Sequence, residues 1–304
     1  MLNKKVLQFI LLTFLISWSV GLAVYLLHIP YGSILFTVFI AFGFMPAPAY
    51  ATLILQKLIY RESLKPYGFT LKNISWRWLL ITTIGFTWFI VLGTFVVIGI
   101  LGNVFGIAPF GRIDFSEAAF LHQVVLFTRG AFGEVPPHLP IPPGVIFLLS
   151  FVQGTIAGFT VSLPFTFGEE LGWRGLLLRE TQQAGFFRSN LIIGLVWGVW
   201  HAPIILQGHN YPAHPLAGVF MMTLFTSVIA FPFAYCRFKS RTIFGPSALH
   251  GMFNALGGLT ALFVVGANPL LGFVAGVAGI VVILLLNVGI CLFDREFVRA
   301  YRGL

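Results

Sequence analysis

The chain has 304 residues, of which 58% are hydrophobic and only 9% charged, and its mean hydropathy is +0.94. Soluble domains carry about 25% charged residues, so 18 Lys and Arg with 9 Asp and Glu cannot cover a water-facing surface. A soluble enzyme, a disordered chain and a disulfide-stapled secreted domain are excluded, and the net charge of +9 reads as the loop asymmetry of a membrane protein, with no nucleic-acid partner implied. The apolar runs are continuous and not alternating, which disfavours a β-barrel. What remains is an all-α polytopic transmembrane helix bundle, a single integral membrane domain over residues 1–304.

Charges are costly in the hydrocarbon core, so charge-free intervals bound the spans. Lys4 and Lys5 before the apolar run from Val6 look like a signal sequence, but the run is too long and lacks a small-x-small cleavage site, so it reads as a retained first span. Interval 6–56 accommodates two helices, broken near His28, Pro30 and Gly32, with Pro46 and Pro48 expected to kink the second. One helix is expected at about 79–103. The loop 104–143 carries Asp114, Glu117 and Glu134 and a Pro-rich end at 135–143, with room for a short interfacial helix near 115–128. A further span starts near Gly144. Intervals 189–236 and 242–293 hold two spans each, broken at 207–215 and at Gly266, Asn268 and Pro269, for about eight in all.

With eight spans, all but two of the 18 Lys and Arg residues fall on one side, in residues 4–5, 57–77, 169–188, 237–241 and the C-terminal tail. Only Arg112 and Arg129 fall on the other. The positive-inside rule then places both termini in the cytoplasm of a multi-pass cell-membrane protein. Cys236 and Cys291 form no CxxC or Cys/His cluster and read as small packed hydrophobes. Gly257, Gly258, Gly272, Gly276 and Gly279 suit close helix packing.

Three stretches keep polar groups where the pattern demands membrane, within a core at about 144–266. In the first, 167–178, Glu169 and Glu170 diverge by about 100° on a helix and cannot share one task. Glu170 and Arg174 are four apart and face the same way, as an ion pair requires. Glu169 is then the freer carboxylate, and in an apolar setting it becomes a competent general base. The bland alternative is a helix end with charges among headgroups. In the second stretch, His201 lies about 18 Å along its helix from Ser189 at 1.5 Å per residue, and Pro203 should open the backbone beside it. In the third, His250 and Asn254 share one helical face; hydrogen-bond glue between helices is their alternative reading. A Glu base with two His and an Asn makes a hydrolytic kit, in which water is activated and an oxyanion receives hydrogen bonds. The same groups suggest a zinc ion held by Glu169, His201 and His250, or no cofactor at all. No HExxH motif occurs.

Glu169, Glu170 and Arg174 as Glu-Glu-x-x-x-Arg, Trp197 four before His201, and His250-x-x-x-Asn254 resemble, in order and spacing, the three motifs of the CPBP intramembrane proteases. That family includes type II CAAX prenyl endopeptidases and bacteriocin-processing or immunity proteins; Trp197 departs from its more usual Phe. The resemblance implies that Glu169 primes water, that His201 assists, that His250 and Asn254 form the oxyanion hole, that Glu170 and Arg174 shape the site, and that Trp197 borders substrate. The implied partners are a peptide or prenylated protein substrate and the lipid bilayer. Two alternatives remain: a non-catalytic membrane protein of bacteriocin immunity or scaffolding, and a proton-coupled transporter, the latter disfavoured because no inverted repeat is visible.

Overall fold

The structure is a computed structural model that describes residues 3–128 and 138–303; Arg129, Glu134 and residues 135–137 of the expected loop lie outside the described residues. In chain order the helices are α1 (Lys4–Leu26), α2 (Ile34–Ile59), α3 (Trp76–Val104), α4 (Glu117–Thr128), α5 (Pro143–Phe159), α6 (Leu163–Ala184), α7 (Phe186–Leu206), α8 (Pro215–Ser240), α9 (Phe244–Gly257), α10 (Leu259–Phe263), α11 (Pro269–Phe293) and α12 (Arg295–Ala300). One short antiparallel pair joins β1 (Arg112–Ile113) to β2 (Val264–Val265). The protein is an all-α, multi-pass membrane bundle.

Six helices are long and apolar enough to cross a bilayer, and α5 with α6, bent by 59°, brings the number up to seven. The expectation of about eight is corrected at 242–265, where no single long helix forms. Gly257 and Gly258 lack the side chains that hold a helix together, and the segment divides into α9 of 14 residues and α10 of 5. Its two ends still reach opposite ends of the bundle. Ile243 N–H donates to the Gly68 carbonyl at 2.9 Å, before α3, and Asp114 N–H donates to the Phe263 carbonyl at 3.1 Å, after α3.

The five basic segments gather at one end. Lys5 Nζ lies 2.7 Å from Glu62 and 3.4 Å from Glu180, Ser75 N–H donates to the Ser240 carbonyl at 3.1 Å, and Gln182 Nε2 donates to the Tyr301 carbonyl at 2.8 Å. Arg112 pairs with Val265 in the small sheet at the opposite end.

The prolines act as their chemistry requires. The second span turns at Met45 and Pro46 and resumes helically at Ala47. Within α7 the regular helix stops at Trp200 and restarts at Ala202 under Pro203, leaving His201 at the break. The expected α4 forms.

Of the glycines singled out above, Gly258 packs against the Phe127 ring of α4 and Gly272 against the Phe110 backbone, while the others make no helix crossing. Gly257 and Gly276 sit at a helix end and a turn, and Gly279 lies against the Val274 carbonyl of its own turn. The close crossings use Gly194 and Gly198 of α7, where an added Cβ would run into Ser227 and Thr223 of α8, and Gly154 and Gly158 of α5, which meet Leu256 and Met252 of α9. Small residues four apart let backbones approach, and Thr226 Oγ1 uses the approach to donate to the Gly194 carbonyl at 2.8 Å. These crossings place α6, α7 and α9 around a common centre.

Candidate active site

The first half of α6 ends in Glu169 and Glu170, and residues 171–177 continue as a wider, π-type turn, a device often found where side chains must be re-aimed. Arg174 Nη1 donates to Glu170 Oε1 at 3.0 Å, with both side chains completely buried. His250 of α9 reaches the same oxygen: its Nδ1–H donates to Glu170 Oε1 at 2.9 Å. A carboxylate can only accept, so the proton of that bond sits on the imidazole. Arg174 is also stacked between two rings, its Cζ 4.3 Å from the centre of Trp197 and 4.4 Å from that of Phe233. A buried cation tolerates this position because it has a carboxylate and two π-faces.

Glu169 is 3% exposed. Its Oε2 accepts a hydrogen bond from the Trp197 indole at 3.1 Å, and the Trp173 side chain also acts on the carboxylate. Trp197 is therefore the centre of the arrangement. Its ring lies 5.4 Å from the His250 ring and 6.0 Å from the His201 ring, so the two histidines flank one indole although they enter from different helices. His201 Nδ1–H donates to the Trp197 carbonyl at 2.8 Å. A carbonyl cannot donate, so in the neutral ring Nε2 keeps its lone pair. The His201 ring also packs 4.7 Å from Trp200.

Of the residues singled out in the sequence, Glu169, Glu170, Arg174, Trp197, His201 and His250 come together. Asn254 stands one turn beyond His250, exposed, and makes no side-chain hydrogen bond among the described residues. The structure shows Trp197 3% exposed and bonded to Glu169. Phe233 was not foreseen. It is one apolar residue among many on α8 and carries no polar signal, yet it supports both Arg174 and, at 5.7 Å, His250.

The proposed zinc set does not fit. Among the described residues no three His, Cys, Asp or Glu side chains are grouped to hold a metal ion, and Glu169, His201 and His250 make no such group.

Residues 146–256 match the family described as type II CAAX prenyl endopeptidase Rce1-like. The match covers residues 146–256 only. The matched segment contains all three motifs and every residue of the cluster. A CAAX prenyl protease 2 of Methanococcus maripaludis is 37% identical over 54 residues, covering 17% of this chain and 20% of that protein. The chain thus aligns with about a fifth of the length of that relative.

Proposed function

We propose that the protein is an intramembrane endopeptidase that hydrolyses a peptide bond with water activated by Glu169. The observation that carries this reading is the cluster around Trp197, where two carboxylates of α6 meet histidines of α7 and α9. Glu169 offers a second carboxylate oxygen, outside its bond to Trp197, in an otherwise apolar setting. It takes a proton from water as the water oxygen attacks the scissile carbonyl carbon. The His201 Nε2 lone pair accepts the second water hydrogen and holds the nucleophile in line. His250, as the imidazolium partner of Glu170, donates Nε2–H to the developing oxyanion, and Asn254 donates its amide from the next turn. Collapse breaks the C–N bond, and the proton on Glu169 passes to the departing amine. Glu170 and Arg174 touch no reacting atom; they hold the His250 ring.

The similarity to type II CAAX prenyl endopeptidases supports a prenylated CAAX tail as the substrate, processed near the cytoplasmic face. Its isoprenoid chain would enter from lipid, and its peptide would lie in the polar centre. Cleavage of a fluorogenic farnesylated peptide by the protein in liposomes tests both parts. Glu169→Gln should lower the rate by roughly 10²–10⁴, the usual contribution of a positioned base, while the thermal melting profile stays near wild type. Wild-type cleavage by Glu169→Gln sinks the mechanism; efficient cleavage of the unprenylated peptide sinks the substrate assignment.

A further inference from the structure

Two cavities meet at Trp78 and Asp294. The first, of about 670 Å³, opens at the basic end of the bundle and is lined by Arg174, Arg179, Arg237, Lys239 and Arg241. Its carboxylates are Asp294 and Glu296. Lys239 is neutralised by Asp294 at 2.5 Å and Arg174 by Glu170 at 3.0 Å. Three guanidinium groups then face one carboxylate, and none of these four residues makes an ion pair among the described residues. Arg237 is set apart further. Its Nε is buried with no hydrogen-bond partner, and its guanidinium lies against the Cα of Gly68. Arg237 lines the chamber, and an anion bound there would offer this under-partnered side chain an acceptor.

The second cavity, of about 660 Å³, is an apolar groove between α3, α8 and α11, lined by Phe86, Phe89, Leu285 and Phe293 with Gly289 opening its wall. An apolar face alone calls for no particular occupant in a bilayer. This one continues into a chamber with excess positive charge, and the shape and charge together match an amphiphile with an anionic head. Basic pockets between membrane helices hold phospholipid head groups, and the planar fork of Arg matches phosphate oxygens. A phosphodiester carries the same single charge as a peptide carboxylate but spreads it over oxygens that several Arg forks can share. Of the clustered site residues, only Arg174 lines the chamber.

We propose that the paired cavity is a binding site for an anionic phospholipid, with the phosphate among Arg179, Arg237 and Arg241 and an acyl chain in the groove over Gly289. The test is native mass spectrometry of the full chain released from nanodiscs of phosphatidylcholine and phosphatidylglycerol in equal parts. Wild type should retain phosphatidylglycerol over phosphatidylcholine. Arg237→Gln should weaken that retention about tenfold or more, the worth of one charge-assisted bond, and Arg237→Lys should restore part of it. Gly289→Trp should block the chain; a Cβ there meets nothing within 4 Å, and a melt alongside confirms that this second variant folds independently of Arg237→Gln. Equal retention of the two lipids, or retention of phosphatidylglycerol unchanged in both Arg237→Gln and Gly289→Trp, overturns the proposal. Displacement of the lipid one for one by farnesylated peptide overturns it too, assigning the cavity to substrate.

Discussion

Glu170 and His250 are 80 positions apart and joined by a 2.9 Å hydrogen bond in a buried site. Arg174 holds the same Glu170 oxygen, so one carboxylate oxygen ties α6 to α9. A buried charge that loses its partner is left uncompensated, at a cost of about 3–5 kcal/mol. Glu170→Ala should therefore lower the melting temperature in detergent sharply, and a double change with Arg174→Met should recover much of the loss. Additive losses in the pair would show that the two side chains do not depend on one another.

Asn254 gives the opposite expectation. It is exposed and has no side-chain partner among the described residues, so Asn254→Ala should change stability by no more than about 0.5 kcal/mol. Removal of one oxyanion donor typically costs 10²–10³ in rate. Loss of peptide cleavage with an unchanged melt fits the role given to it, and an unchanged rate removes it from the oxyanion site.

Trp197→Phe separates shape from hydrogen bonding. Phe keeps a ring beside His250 and Arg174 but cannot donate to Glu169. A bond to an ionised group contributes about 1.5–3 kcal/mol, so cleavage should fall about tenfold or more and the melt should drop modestly. A fully active Trp197→Phe variant would show that the indole N–H does not position Glu169.

Gly198→Ala tests the crossing that brings Trp197 into place. A Cβ at this position meets the backbone of Thr223 and the Thr226 hydroxyl. Overpacking of this kind costs about 1–3 kcal/mol. The variant should melt lower and cleave more slowly, and a wild-type melt would contradict the tight α7–α8 approach.

Asp294 supplies a pH dependence outside the membrane. Partial burial acts to raise its carboxyl, but the Lys239 ammonium, the Tyr235 hydroxyl at 2.9 Å and the Phe297 N–H together hold it below the usual carboxylate range. A depressed acid stabilises above its unfolded value of about 4 and loses that stabilisation as pH falls through the folded one. The α8–α12 junction should loosen in acid below about pH 4, as seen in hydrogen exchange at Phe297. In Asp294→Asn the acid-dependent part should vanish.

Much of this was legible in the chain itself. Charge spacing located the spans and grouped the basic segments, since ionised groups cannot sit in hydrocarbon whatever the tertiary fold. Glu170 with Arg174 followed from helical geometry, and Pro203 marked the break at His201. The pairing of Glu170 with His250 was not legible, because it depends on where α9 crosses α6. The same holds for Phe233, whose importance lies wholly in what it touches. That the glycines of α7 face the backbone of a neighbouring long helix is something no local pattern reveals.

The long separation between Glu170 and His250 also bears on how the protein is made. At about 5–20 residues per second, a ribosome needs roughly 4–16 seconds after α6 emerges before α9 can follow. Through that delay the freshly threaded helix carries an ion pair that still lacks its third member. Release of α6 into lipid should therefore wait for the later segment, and the insertion machinery should hold it at the channel's lateral gate until then.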